Sequence, residues 1–119
     1  MQPEVTVIAS GLAFPEGPIA QPDGSIVLVE IKAGLLTRVR DDGKETIAEL
    51  GGGPNGAAIG PDGHCYVCNN GGFAWIERNG KTYPGEQPAS YSGGSIQKVD
   101  LQSGTFSTLY AHCNGESLK

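Results

Sequence analysis

Positive charge is scarce in this chain. Eight Lys+Arg stand against 13 Asp+Glu, a formal net charge of −5. Phosphate neutralisation needs a basic surface, so nucleic acid is excluded as the expected partner. Long apolar runs are missing as well. No stretch approaches the roughly 18 apolar residues of a membrane-spanning segment. Met1-Gln2-Pro3-Glu4 lacks the positive flank and long apolar stretch of a secretory signal. Three cysteines, an odd number, make a poor disulfide framework, and a reducing cytoplasm is the expected location. Helical periodicity is absent throughout.

Glycine is plentiful: 19 of 119 residues, more than twice the usual ~7%, alongside 8 prolines. The glycines have no three-residue period, which excludes collagen. With 38% hydrophobic and only 18% charged residues the chain can build a core. Abundant glycine in a core-forming chain points to many tight turns and therefore many short strands.

The most informative pattern is internal. Pro15-Glu16-Gly17-Pro18-Ile19-Ala20-Gln21-Pro22-Asp23-Gly24 lies on Pro54-Asn55-Gly56-Ala57-Ala58-Ile59-Gly60-Pro61-Asp62-Gly63 without a gap, at a constant offset of 39 residues. The following segments match in character: Ser25–Glu30 against His64–Asn69. A period of about 40 residues built from short strands is the size of one propeller blade.

Each unit reads as a four-stranded meander. In the first, strands near Gly17–Gln21 and Ser25–Ile31 are joined by Pro22-Asp23-Gly24, and Leu35–Arg40 and Glu45–Leu50 form a second hairpin around Asp41-Asp42-Gly43. In the second, Gly56–Gly60 and His64–Asn69 flank Pro61-Asp62-Gly63. After an insertion at 72–93, Ser95–Leu101 and Thr105–Ala111 close around Gln102-Ser103-Gly104. Asp-Gly between apolar runs is a strong hairpin signal because glycine accepts positive φ. Ile26-Val27-Leu28-Val29 is apolar on both faces, as a strand covered above and below should be, whereas Leu35–Arg40 is closer to alternation. Val5–Ser10 reads as an extra strand ahead of the first unit. The expected fold is all-β: about two four-stranded blades, near 14–50 and 53–111, of a propeller. A closed ring takes four to eight blades, so the sequence reads as the N-terminal part of a longer architecture. Its open blade edges invite self-association.

Phe14-Pro15-Glu16-Gly17-Pro18, Gly53-Pro54-Asn55-Gly56, the two Pro-Asp-Gly turns and Asn69-Asn70-Gly71-Gly72 resemble the senescence marker protein/gluconolactonase/luciferin-regenerating-enzyme family, from about Val7 onward. The resemblance implies a six-bladed propeller with one divalent metal, calcium foremost and magnesium, zinc or manganese as alternatives, at the mouth of its channel. It implies a metal-dependent hydrolase of sugar lactones, in which a Glu, an Asn and an Asp from different blades hold the ion. Glu16 matches the metal-binding Glu. Asn55 matches a position near the substrate, two residues after a site often occupied by Arg; that site is Gly53 here. The Asn and Asp ligands, and the Asp that serves as base, would lie beyond Lys119, so no catalytic residue is expected within these residues and little activity of the chain alone.

The residues read alone fit this. Glu16 and Asn55 are equivalent positions one unit apart, so both should point at one axis, and two oxygen donors suit a hard cation. Each also has a plainer reading: Glu16 as a solvated turn residue, Asn55 as the partner of Gly56 in a positive-φ turn. A non-catalytic propeller scaffold, binding a small molecule, calcium or a protein partner, is the alternative function. Cys65 and Cys68 have redox-motif spacing but lie in a strand, where i and i+3 face opposite sides. Burial as small hydrophobes is expected for the pair, and an incidental free thiol for Cys113. His64 and His112 read as surface residues, Gly51-Gly52-Gly53 as a flexible connection, and Asn69 and Asn70 as strand terminators. The aromatics of the insertion (Phe73, Trp75, Tyr83, Tyr91) would either cap the substrate mouth or pack on their own blade's edge.

Overall fold

The two Pro-Asp-Gly segments close equivalent hairpins in the computed structural model, which describes residues 2–119. The Gln21 amide donates to the Ser25 carbonyl at 2.8 Å, and the Gly60 amide to that of His64 at 2.9 Å. In each turn the aspartate accepts from the amide two residues on, Ser25 to Asp23 at 2.9 Å and His64 to Asp62 at 3.0 Å. Gly24 and Gly63 take φ of 87° and 80°, which a side chain resists.

These hairpins begin two sheets of four antiparallel strands. The first runs in the order β1 (Pro15–Ala20), β2 (Ile26–Glu30), β3 (Leu35–Arg40), β4 (Gly43–Glu49). The second contains β5 (Pro54–Ile59) and β6 (Cys65–Asn69). After a separate hairpin of β7 (Trp75–Arg78) and β8 (Lys81–Pro84), it is completed by β9 (Ser95–Val99) and β10 (Phe106–Tyr110), in the order β10-β9-β6-β5. Two short strands, β11 (His112–Cys113) and β12 (Glu116–Ser117), pair near the end. The described residues contain no helix. Register repeats with sequence: Pro15↔Glu30, Ile19↔Val27 and Ala20↔Ile26 in the first sheet become Pro54↔Asn69, Ala58↔Tyr66 and Ile59↔Cys65 in the second.

The core lies between the sheets. Val27, Val29, Leu36, Ala48 and Leu50 of the first meet Cys65, Val67 and Val99 of the second, with Ile47, Ala57 and Leu101 around them. The first sheet's other face carries Leu28 and Val39, also buried. Thr6–Ala9 and Leu12 run across that face and, with it, line a groove of about 410 Å³.

Three expectations are corrected here. Val5–Ser10 forms no strand: Val5, Val7 and Ile8 are 86%, 81% and 64% exposed, and no sheet edge takes the segment as a hydrogen-bonded neighbour. A β-prone run without a partner gains no ladder. Of the cysteine pair, Cys65 is buried in the core, where desolvation pushes its thiol up to about 11, but Cys68 is exposed on the opposite face. Strand alternation separates the two, as the i, i+3 spacing requires. Gly51–Gly53 is no slack connection, because Gly53 is buried and its amide donates to Asn69 Oδ1 at 2.9 Å.

The turn aspartates make the fold acid-sensitive. Hydrogen bonds from the Ser25 hydroxyl and then its amide, with Arg40 adding, hold Asp23 at about 2. Asp62 is lowered by the Tyr66 hydroxyl first, then by the His64 amide and Lys98, and Asp100 by the amides of Ser103 and Gln102. A carboxylate held below its unfolded value of ~4 stabilises the fold at neutral pH and loses that contribution as pH falls through the folded value. The thermal midpoint should therefore drop between about pH 4 and pH 2, and Asp23→Asn should flatten that drop.

Candidate functional site

The first strands of the two sheets stand side by side. A Cβ placed on Gly17 would lie 3.3 Å from the Ala57 amide nitrogen and 3.4 Å from Gly56 Cα, so β1 and β5 meet backbone to backbone. Glu16 and Asn55 each precede this contact by one residue, and both are exposed. The structure thus sets the two residues singled out from sequence on neighbouring strand starts, with Glu16 also bordering the groove on the first sheet's other face.

Four of the strand pairings slip in register, two of them at these positions. Pairing of β1 with β2 slips between Glu16 and Ile19, and pairing of β5 with β6 slips between Pro54 and Gly56. Bulges of this kind re-aim side chains and cluster beside active sites. The turn reading of Asn55 does not hold: neither Asn55 nor Gly56 has positive φ, and both lie inside β5. The non-glycine residue with positive φ that leads into this region is Phe14, at 60°.

Two buried polar side chains that look unremarkable in sequence hold the segments leading into these strands. Glu30 is 4% exposed; its carboxyl accepts from the Ala13 amide at 2.7 Å and from the Thr37 hydroxyl. Asn69 is 8% exposed. Its Oδ1 accepts from the Gly53 and Gly71 amides at 2.9 Å, and its Nδ2 donates to Gly51 O at 2.9 Å and Gln97 Oε1 at 3.0 Å. Asn69 is therefore a buried hub as well as the end of a strand. The signal available in sequence was its 39-residue equivalence to Glu30.

The 72–93 insertion crosses to the first sheet. Trp75 of β7 lies 5.0 Å from Phe14, tilted at 51°, with Phe73 edge-on to it at 5.6 Å. Lys32 Nζ and Glu77 Oε1 pair at 2.8 Å. An exposed pair of this kind adds little, so the aromatic contact supplies most of the docking. The result is an aromatic shoulder two residues ahead of Glu16.

His64 is half-buried between Asp62 (3.4 Å) and Asp100 (3.7 Å), away from this region and beside the Pro-Asp-Gly turn. Its surroundings are more enclosed than a surface assignment implies, whereas His112 is exposed.

For a metal, Glu16 offers a carboxylate and Asn55 an amide oxygen, the hard donors that calcium or magnesium prefers. They fit an oxygen-ligated cation in kind. In number they supply only part of a shell of about six to eight oxygens. Among the described residues no group of three or more His, Cys, Asp and Glu gathers to hold an ion, and no helix is long and apolar enough to cross a membrane.

Paired four-stranded antiparallel sheets define an all-β protein, and the family that its sequence matches is of propeller type. Residues 14–118 match the family model described as SMP-30/Gluconolactonase/LRE-like region, and the chain belongs to that family. No curated protein matches it.

Proposed function

We propose that the chain serves a divalent-metal-dependent hydrolase of sugar lactones, built as part of a six-bladed propeller. The observation that carries this reading is the family match spanning residues 14–118, with Glu16 and Asn55 one repeat apart at the starts of two adjoining strands, each beside a slip in register.

In this reading Glu16 is a carboxylate ligand to the ion, calcium foremost. Asn55 hydrogen-bonds the lactone or its attacking water through its side-chain amide. Phe14 and Trp75 form an apolar wall that orients the ring face and excludes water on one side. The bound ion would supply polarisation of the lactone carbonyl.

Gluconolactone hydrolysis by the complete six-bladed propeller that this reading makes the chain part of, followed by acid release with and without added calcium or manganese, tests the proposal; the chain by itself should show little activity. Outer-shell partners of metal ligands are worth about 10–100-fold, so losing a ligand should cost at least about 100-fold. Glu16→Gln should therefore fall by that much while keeping the fold. Full activity in the variant, or no metal-dependent hydrolysis by the wild type, would refute the reading.

A further inference from the structure

We propose that Glu30 and Asn69 are positioning residues: equivalent buried latches, one per sheet, that set where Glu16 and Asn55 are presented. The role assigned to the site rests on the lactonase reading above; the latch itself rests on geometry.

The equivalence is detailed. Glu30 pairs with Pro15 and Asn69 with Pro54, each directly ahead of the site residue. The amide after each latch residue binds the lead-in carbonyl, Ile31 to Phe14 at 3.0 Å and Asn70 to Gly53 at 2.9 Å. Each latch side chain accepts from a lead-in amide, Ala13 in the first sheet and, one position nearer the strand, Gly53 in the second. Each also bonds a polar residue of the sheet's third strand, Thr37 or Gln97. These two share a register, opposite Leu28 and Val67.

A buried carboxyl or amide is costly unless bonded, and an apolar side chain would fill the same space without that demand. What polar groups add is direction. They fix backbone amides at hydrogen-bond distance in segments that adopt left-handed conformations: Phe14 at φ 60° in one sheet, Gly51 at 71° and Gly52 at 58° in the other. With the lead-in held on one side and the pairing with β2 or β6 on the other, Glu16, opposite Val29 just ahead of its slip, and Asn55, within its slip, are fixed in place.

The test uses the full chain. Amide exchange and ¹⁵N chemical shifts are read residue by residue in Glu30→Ala, Glu30→Gln and Asn69→Ala. One lost hydrogen bond corresponds to about a tenfold change. Glu30→Ala should therefore speed exchange at Ala13 about tenfold and shift the resonances of Ala13 to Gly17, leaving Gly53 to Gly56 in place. Asn69→Ala should do the reverse. Glu30→Gln keeps the volume and one acceptor oxygen for the Ala13 amide, while its NH2 can donate to the Thr37 hydroxyl, so it should restore the wild-type pattern. In the hydrolysis assay, Glu30→Ala should raise the calcium concentration for half-maximal rate about tenfold, and Asn69→Ala should raise KM instead. A merely structural role would lower stability everywhere without that split.

If Glu30→Ala does not fold, Thr37→Val removes one of the two bonds to Glu30 at nearly constant volume, and faster exchange at Ala13 is again expected. Unchanged exchange and shifts at the lead-in residues overturn the latch whether or not lactone is hydrolysed. A complete wild-type propeller without metal-dependent hydrolysis overturns the functional reading, and the amide data still decide the latch.

Discussion

Leu36→Ala should lower the unfolding free energy by about 2–5 kcal/mol, a large share of the roughly 5–15 kcal/mol that holds a domain together. Leu36 is fully buried in β3 and belongs to the cluster shared by both sheets, so the cavity opens against Cys65, Val67 and Val99 as much as against its own neighbours. Surrounding strands are pinned by ladders on either side and cannot collapse to fill it. Urea unfolding should show a lower midpoint at an unchanged slope, the mark of a stability change alone. Leu109→Ala is the control: Leu109 is 40% exposed on β10, and its loss should stay within about 0.5 kcal/mol. Equal effects of the two substitutions would mean that the apolar cluster is not the core.

Gly17→Ala is expected to cost about 2–5 kcal/mol and to disturb the site with it. Two effects add. The residue sits at φ 58°, where a Cβ costs ~1–2 kcal/mol in strain. The added methyl would also press on Gly56 and Ala57 backbone at 3.3–3.4 Å, and overpacking adds about 1–3 kcal/mol. Backbone held by β5's pairing with β6 yields poorly, so β1 and β5 must separate and carry Glu16 away from Asn55. Gly24→Ala, at φ 87° but with open space around it, should show the strain alone. Comparing the two thermal midpoints isolates the contact; identical losses would mean that the sheets do not meet there.

Much of this architecture was legible because its signals are local. Pro-Asp-Gly states a turn in three residues, and repeating it after 39 residues stated the register of both hairpins. The opposed environments of Cys65 and Cys68 follow from strand alternation, although burial of both did not hold. Glu16 and Asn55 could be named as a pair because the repeat made them equivalent. Other features depended on partners far along the chain. Trp75 finds Phe14 in the other sheet, a contact that nothing in either segment announces. Val5–Ser10 has strand composition, but a strand exists only where an edge accepts it, and none does among the described residues. Glu30 reads as an ordinary acidic residue closing a hydrophobic run. Only its burial and its bonds to Ala13 and Thr37 distinguish it.

The main buried cluster is one seam shared by both sheets, with Val27 and Val29 on one side and Val67 and Val99 on the other. Neither sheet owns an interior of its own, so the visible module and the thermodynamic module do not coincide. The first meander excised from its neighbour would bare Val27, Val29 and Leu36 to water and lose the packing that holds it. Assembly must wait until distant parts of the chain have found each other, and such waiting makes folding slow and all-or-none.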